Sequence, residues 1–298
     1  MTDLAADFVL PIDKPEGPTS HDIVGAVRKA TGQRRVGHTG TLDPFASGLL
    51  LVCVGKATRL AEYFSGLDKT YEAVARLGVL TDTLDRDGSV VAESAGWEAL
   101  TAERIEASLE ELRGEIRQVP PAFSAKKVDG ERAYRSARAG RAVDLAPATV
   151  TVQSLELTSL DLPFASFTVT CSSGTYVRAL ARDLGEALGV GAHLTSLRRT
   201  AVGTWGVGDA ISLHDLSRPD LVAAAAVAPL AALRHLPTVE VDEEVAARLR
   251  VGQSVALSGA DRPDVRDASP VAVAHAGTLL AIGETTEGVL RPRKVFAA

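Results

Sequence analysis

Gly37-His-Thr-Gly-Thr-Leu-Asp-Pro-Phe-Ala-Ser-Gly-Leu-Leu50 sets one carboxylate, Asp43, among small turn-forming residues and then runs into an apolar stretch. Gly37, Gly40 and Gly48 permit backbone conformations closed to other residues, and Pro44 keeps Asp43 in extended or turn geometry. Leu49-Leu-Leu-Val-Cys-Val54 reads as a short buried strand. A loop anchored by such a strand can present a reactive group from a rigid scaffold. Asp, Pro and Gly also build ordinary turns, so the loop alone does not decide the matter.

Upstream, Phe8-Val-Leu-Pro-Ile12 predicts an opening strand and Asp13-Lys-Pro-Glu-Gly-Pro18 a loop. Ser20 is the expected N-cap of a helix with Ile23, Val24 and Val27 on one face and Gly32 as its C-terminal cap. Downstream, Lys56 to Phe64 predicts a helix. Lys69 to Leu77 predicts a strand with Tyr71, Ala73, Ala75 and Leu77 on one face. Thr81-Asp-Thr-Leu-Asp-Arg-Asp-Gly88 is an acidic turn that lacks the distal Glu of a calcium loop. A helix from about Thr101 carries Ile105, Leu109 and Leu112 and ends at Gly114; Gln118 to Lys127 leaves the core, and a short helix follows over Glu131 to Ala139.

Val150 to Leu157 and Phe164 to Cys171 read as adjacent antiparallel strands. Leu180, Leu184 and Leu188 mark a helix ended by Gly189; His193 to Thr200 leads into another strand pair, and the apolar Leu221 to Leu233 is a buried helix broken at Pro229. After about Leu236 short strands surround a helix at Glu243 to Arg250, with a hairpin of Val271 to Ala274 and Leu279 to Ile282. The expected fold class is α+β, a large domain on a mixed, mainly antiparallel sheet flanked by helices, plus a small mostly-β module. The expected domains are 1–235, with a basic excursion over about 118–147, and 236–298.

Composition narrows the function. Of 298 residues 46% are hydrophobic and 23% charged, which suits a folded domain pair. The acidic N-terminus is unlike a secretory signal and no apolar run is long enough to cross a bilayer, so a cytoplasmic protein without membrane contact is expected. The two cysteines lie in apolar segments and exclude a cysteine-rich zinc site. A net charge of −6 argues against indiscriminate coating of nucleic acid. Arg113 to Arg141 nevertheless holds eight basic residues against three acids, a phosphate-binding stripe or a solvated helix face.

The motif around Asp43, with flanking Arg34-Arg-Val36 and Gly55-Lys-Ala-Thr-Arg59, resembles that of the TruB-type tRNA pseudouridine synthases. The resemblance extends, in order, through Asp13 to His21, Lys69-Thr-Tyr71, Thr81 to Gly88, Gln118 to Tyr134, Gly174-Thr-Tyr-Val-Arg178 and His193 to Arg199. It implies a pseudouridine synthase fold, a PUA-like RNA-binding C-terminal domain, and isomerisation of uridine 55 in the T loop of tRNA by a monomer, without cofactor or metal. By the same resemblance Asp43 is the catalytic residue, Tyr71 stacks on the base and assists a proton transfer, and Arg178 pairs with Asp43. His38 supports the flipped-out RNA, and Lys14, Tyr176 and Leu197 surround the base pocket. Lys126, Lys127 and Arg132 of the stripe are expected to bind tRNA, as is Arg291-Pro-Arg-Lys294 outside the T loop. Attack on the base, attack on the sugar and glycal formation all remain open for Asp43.

Two other classes compete. A glycosidic hydrolase would want a second carboxylate to activate water, and none sits inside the motif. A non-catalytic tRNA-binding folding factor could use the same T-arm surface, but would not need Asp43, Tyr71 and Arg178 together.

Overall fold

The computed structural model describes residues 7–124, 127–128, 131–132, 145–257 and 267–296. A ten-stranded mixed sheet organises the large domain. In spatial order it runs Ile211–Ser212, Phe8–Lys14, Ser47–Val54, Ala192–Val202, Lys69–Leu77, Phe164–Cys171, Ala148–Asp161 and Gly114–Gln118. Val36–His38 also pairs with Ser47–Val54, and Trp205–Gly206 with Ala192–Val202. Only the Phe8–Lys14 to Ile211–Ser212 and Ala192–Val202 to Ser47–Val54 contacts are parallel. The expected mainly antiparallel sheet is therefore present.

The Asp43 loop leads into the Ser47–Val54 strand, which from Leu49 to Val54 is apolar at every position rather than alternating. The cause is burial on both faces. Leu50, Val52 and Val54 enter a core with Ile23, Val24 and Val27 of the Ser20–Thr31 helix. Leu49, Leu51 and Cys53 enter another with Phe64, Trp205 and Leu233. The Lys69–Leu77 strand keeps the expected alternation, its Tyr71, Ala73, Ala75 and Leu77 facing a third core with Leu180, Leu184 and Leu188 of the Val177–Leu188 helix. Gly189 caps that helix in the left-handed region, as Gly32 caps the first.

Several expectations are corrected. Thr19, not Ser20, caps the first helix, in a capping box with Asp22. Lys56 to Phe64 is not one helix but a 3-10 turn, Gly55–Leu60, followed by the short helix Ala61–Ser65. The helix after Thr101 stops at Glu110, and Gly114, with φ of +82°, opens an edge strand rather than closing a helix. Glu131–Arg132 is extended, paired with Lys127–Val128, so the helix expected from Glu131 does not start there; the rest of that segment lies outside the described residues. His193 to Thr200 lies within one long central strand. Pro229 does break the apolar stretch, into Pro219–Ala225 and Pro229–Ala232.

The C-terminal module is a five-stranded sheet ordered Thr238–Glu240, Val271–His275, Thr278–Thr286, Val289–Val295 and Val255–Ala256, with the helix Glu243–Arg250. Val273, Leu280 and Leu249 build its own core. Ala272, Leu279 and Ile282 instead join Phe64 and Leu60 of the large domain. The module is thus packed on the segment that follows the Asp43 loop and its strand. No helix among the described residues is long and apolar enough to cross a membrane.

Candidate active site

Asp43 opens into a cavity of about 280 Å³ that it shares with Tyr71, Tyr176, Arg178 and Leu197, five of the residues singled out in the sequence. Lys69, Ser124 and Arg199 complete much of the wall. The spacing explains the grouping. Lys69 and Tyr71 lie two apart on one strand, Leu197 and Arg199 two apart on its neighbour, and Tyr71 and Arg199 are register partners.

The loop is held mostly by side chains rather than by its glycines. Ser20, buried, donates to Leu42 O at 2.9 Å and accepts from Leu42 N at 2.8 Å, fixing the residue before Asp43. Gly17 N donates to Pro44 O at 2.8 Å. Arg199, also buried, donates to Leu49 O at 2.7 Å and Gly40 O at 3.2 Å. Of Gly37, Gly40 and Gly48, only Gly48 sits at positive φ, +104°, and a Cβ there would lie 2.2 Å from Arg199 O. Gly48 is what lets the loop strand approach the strand of Arg199.

Arg178 stands in the first turn of its helix, only 4% exposed. Its Nη2 lies 2.9 Å from Asp43 Oδ2 and its Nη1 3.3 Å from Asp85 Oδ2. It also donates to Thr83 O at 2.8 Å and Phe123 O at 3.0 Å. Gln118 clasps Tyr176 just before the helix, accepting from its N–H at 2.8 Å and donating to its carbonyl at 3.2 Å.

Burial pushes the Asp43 carboxyl above the usual carboxylate range. Arg178 is the largest pull the other way, while the like charge of Asp85 adds to the rise. The side chain keeps 35% of its surface open to the cavity, so solvent moderates the shift until a ligand fills the space. Burial likewise raises the Tyr71 hydroxyl, opposed by the hydrogen-bonded Arg199. It lowers Lys69 to about 8; that ammonium donates to Ser65 O at 2.6 Å and Leu67 O at 2.5 Å. A fixed carboxylate, a cation that favours its ionised form and a buried phenol can together support nucleophilic and proton-transfer chemistry on a small polar ligand.

Two expected residues stand outside the cavity wall. Lys14 is fully buried behind the loop and donates to Pro15 O and Pro18 O, each at 2.9 Å, and to Pro44 O at 3.4 Å. Burial lowers it to about 8, with Asp43 opposing. It braces the loop and is not among the residues that line the cavity. His38 ends the Val36–His38 strand, one residue before Thr39, which does line the cavity.

Lys126 lies outside the described residues, and of Lys127 and Arg132 only the backbone is described, so the basic stripe stays an expectation. Arg291-Pro-Arg-Lys294 is differently occupied from what its charge suggests. Arg293 pairs with Glu284 on the neighbouring strand of its own sheet, and Lys294 reaches Glu62 and Arg59 O of the large domain.

Sequence reading missed Asp85, Arg199, Lys69 and Ser20 as contributors. Asp85 lies in the Thr81 to Gly88 turn, which belongs to the resemblance but by itself assigns no role to any of its acids. Strand alternation from Leu197 and Tyr71 could have pointed to Arg199 and Lys69. No cluster of three or more His, Cys, Asp or Glu side chains able to hold a metal ion occurs among the described residues.

Comparison with known proteins bears on the cavity. Residues 28–177 match the TruB family pseudouridylate synthase (N terminal domain) model, and residues 178–236 the tRNA pseudouridylate synthase B C-terminal domain model. The tRNA pseudouridine synthase B of Arthrobacter sp. (strain FB24) is 44% identical over 295 residues, covering 96% of this chain and 95% of the relative. That of Thermobifida fusca (strain YX) is 44% identical over 301 residues, covering 98% and 99%. Among solved structures, an H/ACA RNP bound to a substrate RNA containing 2'-deoxyuridine aligns with TM-score 0.75 at 27% identity, over 98% of this chain and 85% of that one. A Cbf5-Nop10-Gar1 complex aligns with TM-score 0.75 at 26% identity, over 100% and 91%.

Proposed function

Because the chain belongs to the TruB family of pseudouridylate synthases, we propose that the Asp43 cavity is where it isomerises uridine 55 in the T loop of tRNA to pseudouridine. The reaction breaks the bond from the sugar to the base nitrogen, turns the base, and joins the sugar to a ring carbon. A stacked base is out of reach of any enclosed carboxylate, so the uridine must be flipped out into the cavity.

Asp43 supplies the ionised oxygen that acts on the nucleotide. Arg178 keeps that oxygen charged and fixed, Tyr71 borders the base and takes part in proton transfer, and Leu197 and Tyr176 shape the pocket. Lys14 acts behind the loop, and His38, at the foot of it, supports the opened RNA. Lys126, Lys127 and Arg132 contact phosphates of the T stem. The cavity is complete within one chain among the described residues, which suits a monomer working on cytoplasmic tRNA.

The observation that carries this reading is the Asp43–Arg178–Asp85 cluster. A tRNA-folding factor would have no use for a carboxylate held against a buried guanidinium at a cost in desolvation. The test is incubation of the protein with unmodified tRNA transcript, followed by chemical mapping of pseudouridine. A product at position 55 with wild type and none with Asp43→Asn is expected. A product at another position, or equal product from both proteins, would overturn the assignment.

A further inference from the structure

Two side chains of the cavity wall, Ser124 and Thr175, carry a hydroxyl without a hydrogen-bond partner, and Ser124 is the more deeply buried residue of the two. Ser124 is 4% exposed and lines the cavity beside Asp43. Buried hydroxyls are nearly always satisfied, and one left without a partner in a dry site is costly. Protein groups nearby are committed elsewhere. Arg178 is spent on two carboxylates and two carbonyls, Arg199 on the carbonyls of the loop, and Lys69 on Ser65 and Leu67.

The backbone shows why Ser124 stays where it is. Phe123 O accepts from Arg178 Nη2, and Val119 O accepts from Arg182 Nη2 at 3.1 Å. The peptide just before Ser124 is therefore tied to the same guanidinium that holds Asp43. The hydroxyl is fixed in the wall with one donor and two acceptor sites unspent. An apolar ligand or a ring face would leave it unsatisfied; an oxygen of a nucleoside would not.

We propose that Ser124 is a substrate-binding residue whose hydroxyl donates a hydrogen bond to an oxygen of the flipped-out uridine, the ribose 2′-hydroxyl or a uracil carbonyl, and so orients it against Asp43. The inference rests on the cavity being the site of isomerisation. A group built to hydrogen-bond a substrate oxygen discriminates strongly against analogues that lack it, since the buried partner is then left unpaired.

The test uses the full chain with Ser124→Ala and Ser124→Thr. Single-turnover rate and affinity are measured on unmodified tRNA transcript, together with the thermal midpoint of the free protein. Ser124→Ala should lower kcat/KM by about 10- to 100-fold, the span of a hydrogen bond lost at a buried group. Its midpoint should be unchanged or higher, because an unpaired polar group has been removed. Ser124→Thr, which keeps the hydroxyl, should recover most of the rate. Transcripts with 2′-deoxyuridine, 2-thiouridine or 4-thiouridine at the target separate the possible partners. On the analogue that lacks the relevant oxygen, wild type and Ser124→Ala should behave alike, in rate or, where the analogue does not react, in affinity.

Unchanged rate and affinity for Ser124→Ala, or an equal loss on all three analogues, would overturn the inference. Wild type that makes no pseudouridine in the same assay would instead overturn the reading of the cavity on which it stands.

Discussion

One buried guanidinium serves two carboxylates: Arg178 lies 2.9 Å from Asp43 through one terminal nitrogen and 3.3 Å from Asp85 through the other. Asp43 faces the cavity, whereas Asp85 is closed off and tied down by Thr83 Oγ1 at 2.6 Å and Asp87 N at 3.1 Å. The inner carboxylate fixes the cation, and the cation fixes the outer carboxylate.

Asp43→Asn should bind tRNA with near-wild-type affinity and yield no pseudouridine at enzyme excess, because Ser20, Arg199 and Gly17 hold the loop whatever its charge. Its stability should depend on pH in a set direction. The folded-state pKa of Asp43 is raised above its unfolded value, so the ionised group costs stability, fully above the folded pKa and not at all below the unfolded one. The variant should then match or exceed wild type at about pH 8, with the gap closing toward about pH 4. Thermal unfolding across that range checks it; a variant less stable than wild type at the upper end contradicts the sign.

Asp85→Asn tests the inner carboxylate. Arg178 would keep Asp43 as its one anionic partner but lose the brace behind it, so kcat should fall by roughly 10- to 100-fold with affinity retained. The like charge that helps raise Asp43 would also be gone, and the acidic limb of the rate profile should move to lower pH. An acidic limb that stays put would show that Asp85 does not act on Asp43.

Ser20→Ala separates capping from bracing. Thr19 caps the helix, so the helix should survive the change. What is lost is the pair of hydrogen bonds to Leu42, worth about 1 kcal/mol each in stability. Turnover should drop more than affinity, as the loop loses register beside Asp43. The opposite pattern, with weakened binding and unchanged kcat, would contradict this role.

How much of this was legible from the chain depended on how local the determinant was. Tyr71 and its alternating neighbours declared their strand because period-two burial is written in consecutive residues. Gly32 and Gly189 marked helix ends for the same reason. Asp85 and Arg199 were not legible as site residues, since what brings them to the cavity is pairing across more than a hundred residues of sequence. Ser20 was misjudged because a hydroxyl before a helix reads as a cap, and only the tertiary fold shows it turned toward Leu42. Lys294 looked free for RNA because charge patterning does not reveal which face of a strand will be covered.

The covering of that strand changes what the C-terminal module should do. Arg59 stacks over Phe296 at 4.7 Å and donates to Val295 O at 2.6 Å, while Lys294 reaches Glu62, Arg59 O and the ring of Tyr63. Residues 55–65 are thus gripped by the last strand, and at their far end Ser65 lines the cavity and holds Lys69. A truncation near residue 236 would also strip Leu279 and Ile282 from Phe64 and Leu60. Removal of the module should therefore affect the chemical step as well as binding. Lys294→Met combined with Phe296→Ala should lower stability by about 1–3 kcal/mol. It should also slow single-turnover conversion at saturating tRNA, with Lys69→Met reproducing the slower chemistry but not the lost stability. A double variant that is destabilised yet converts bound tRNA at the wild-type rate would show that the grip ends at Tyr63 and never reaches the cavity.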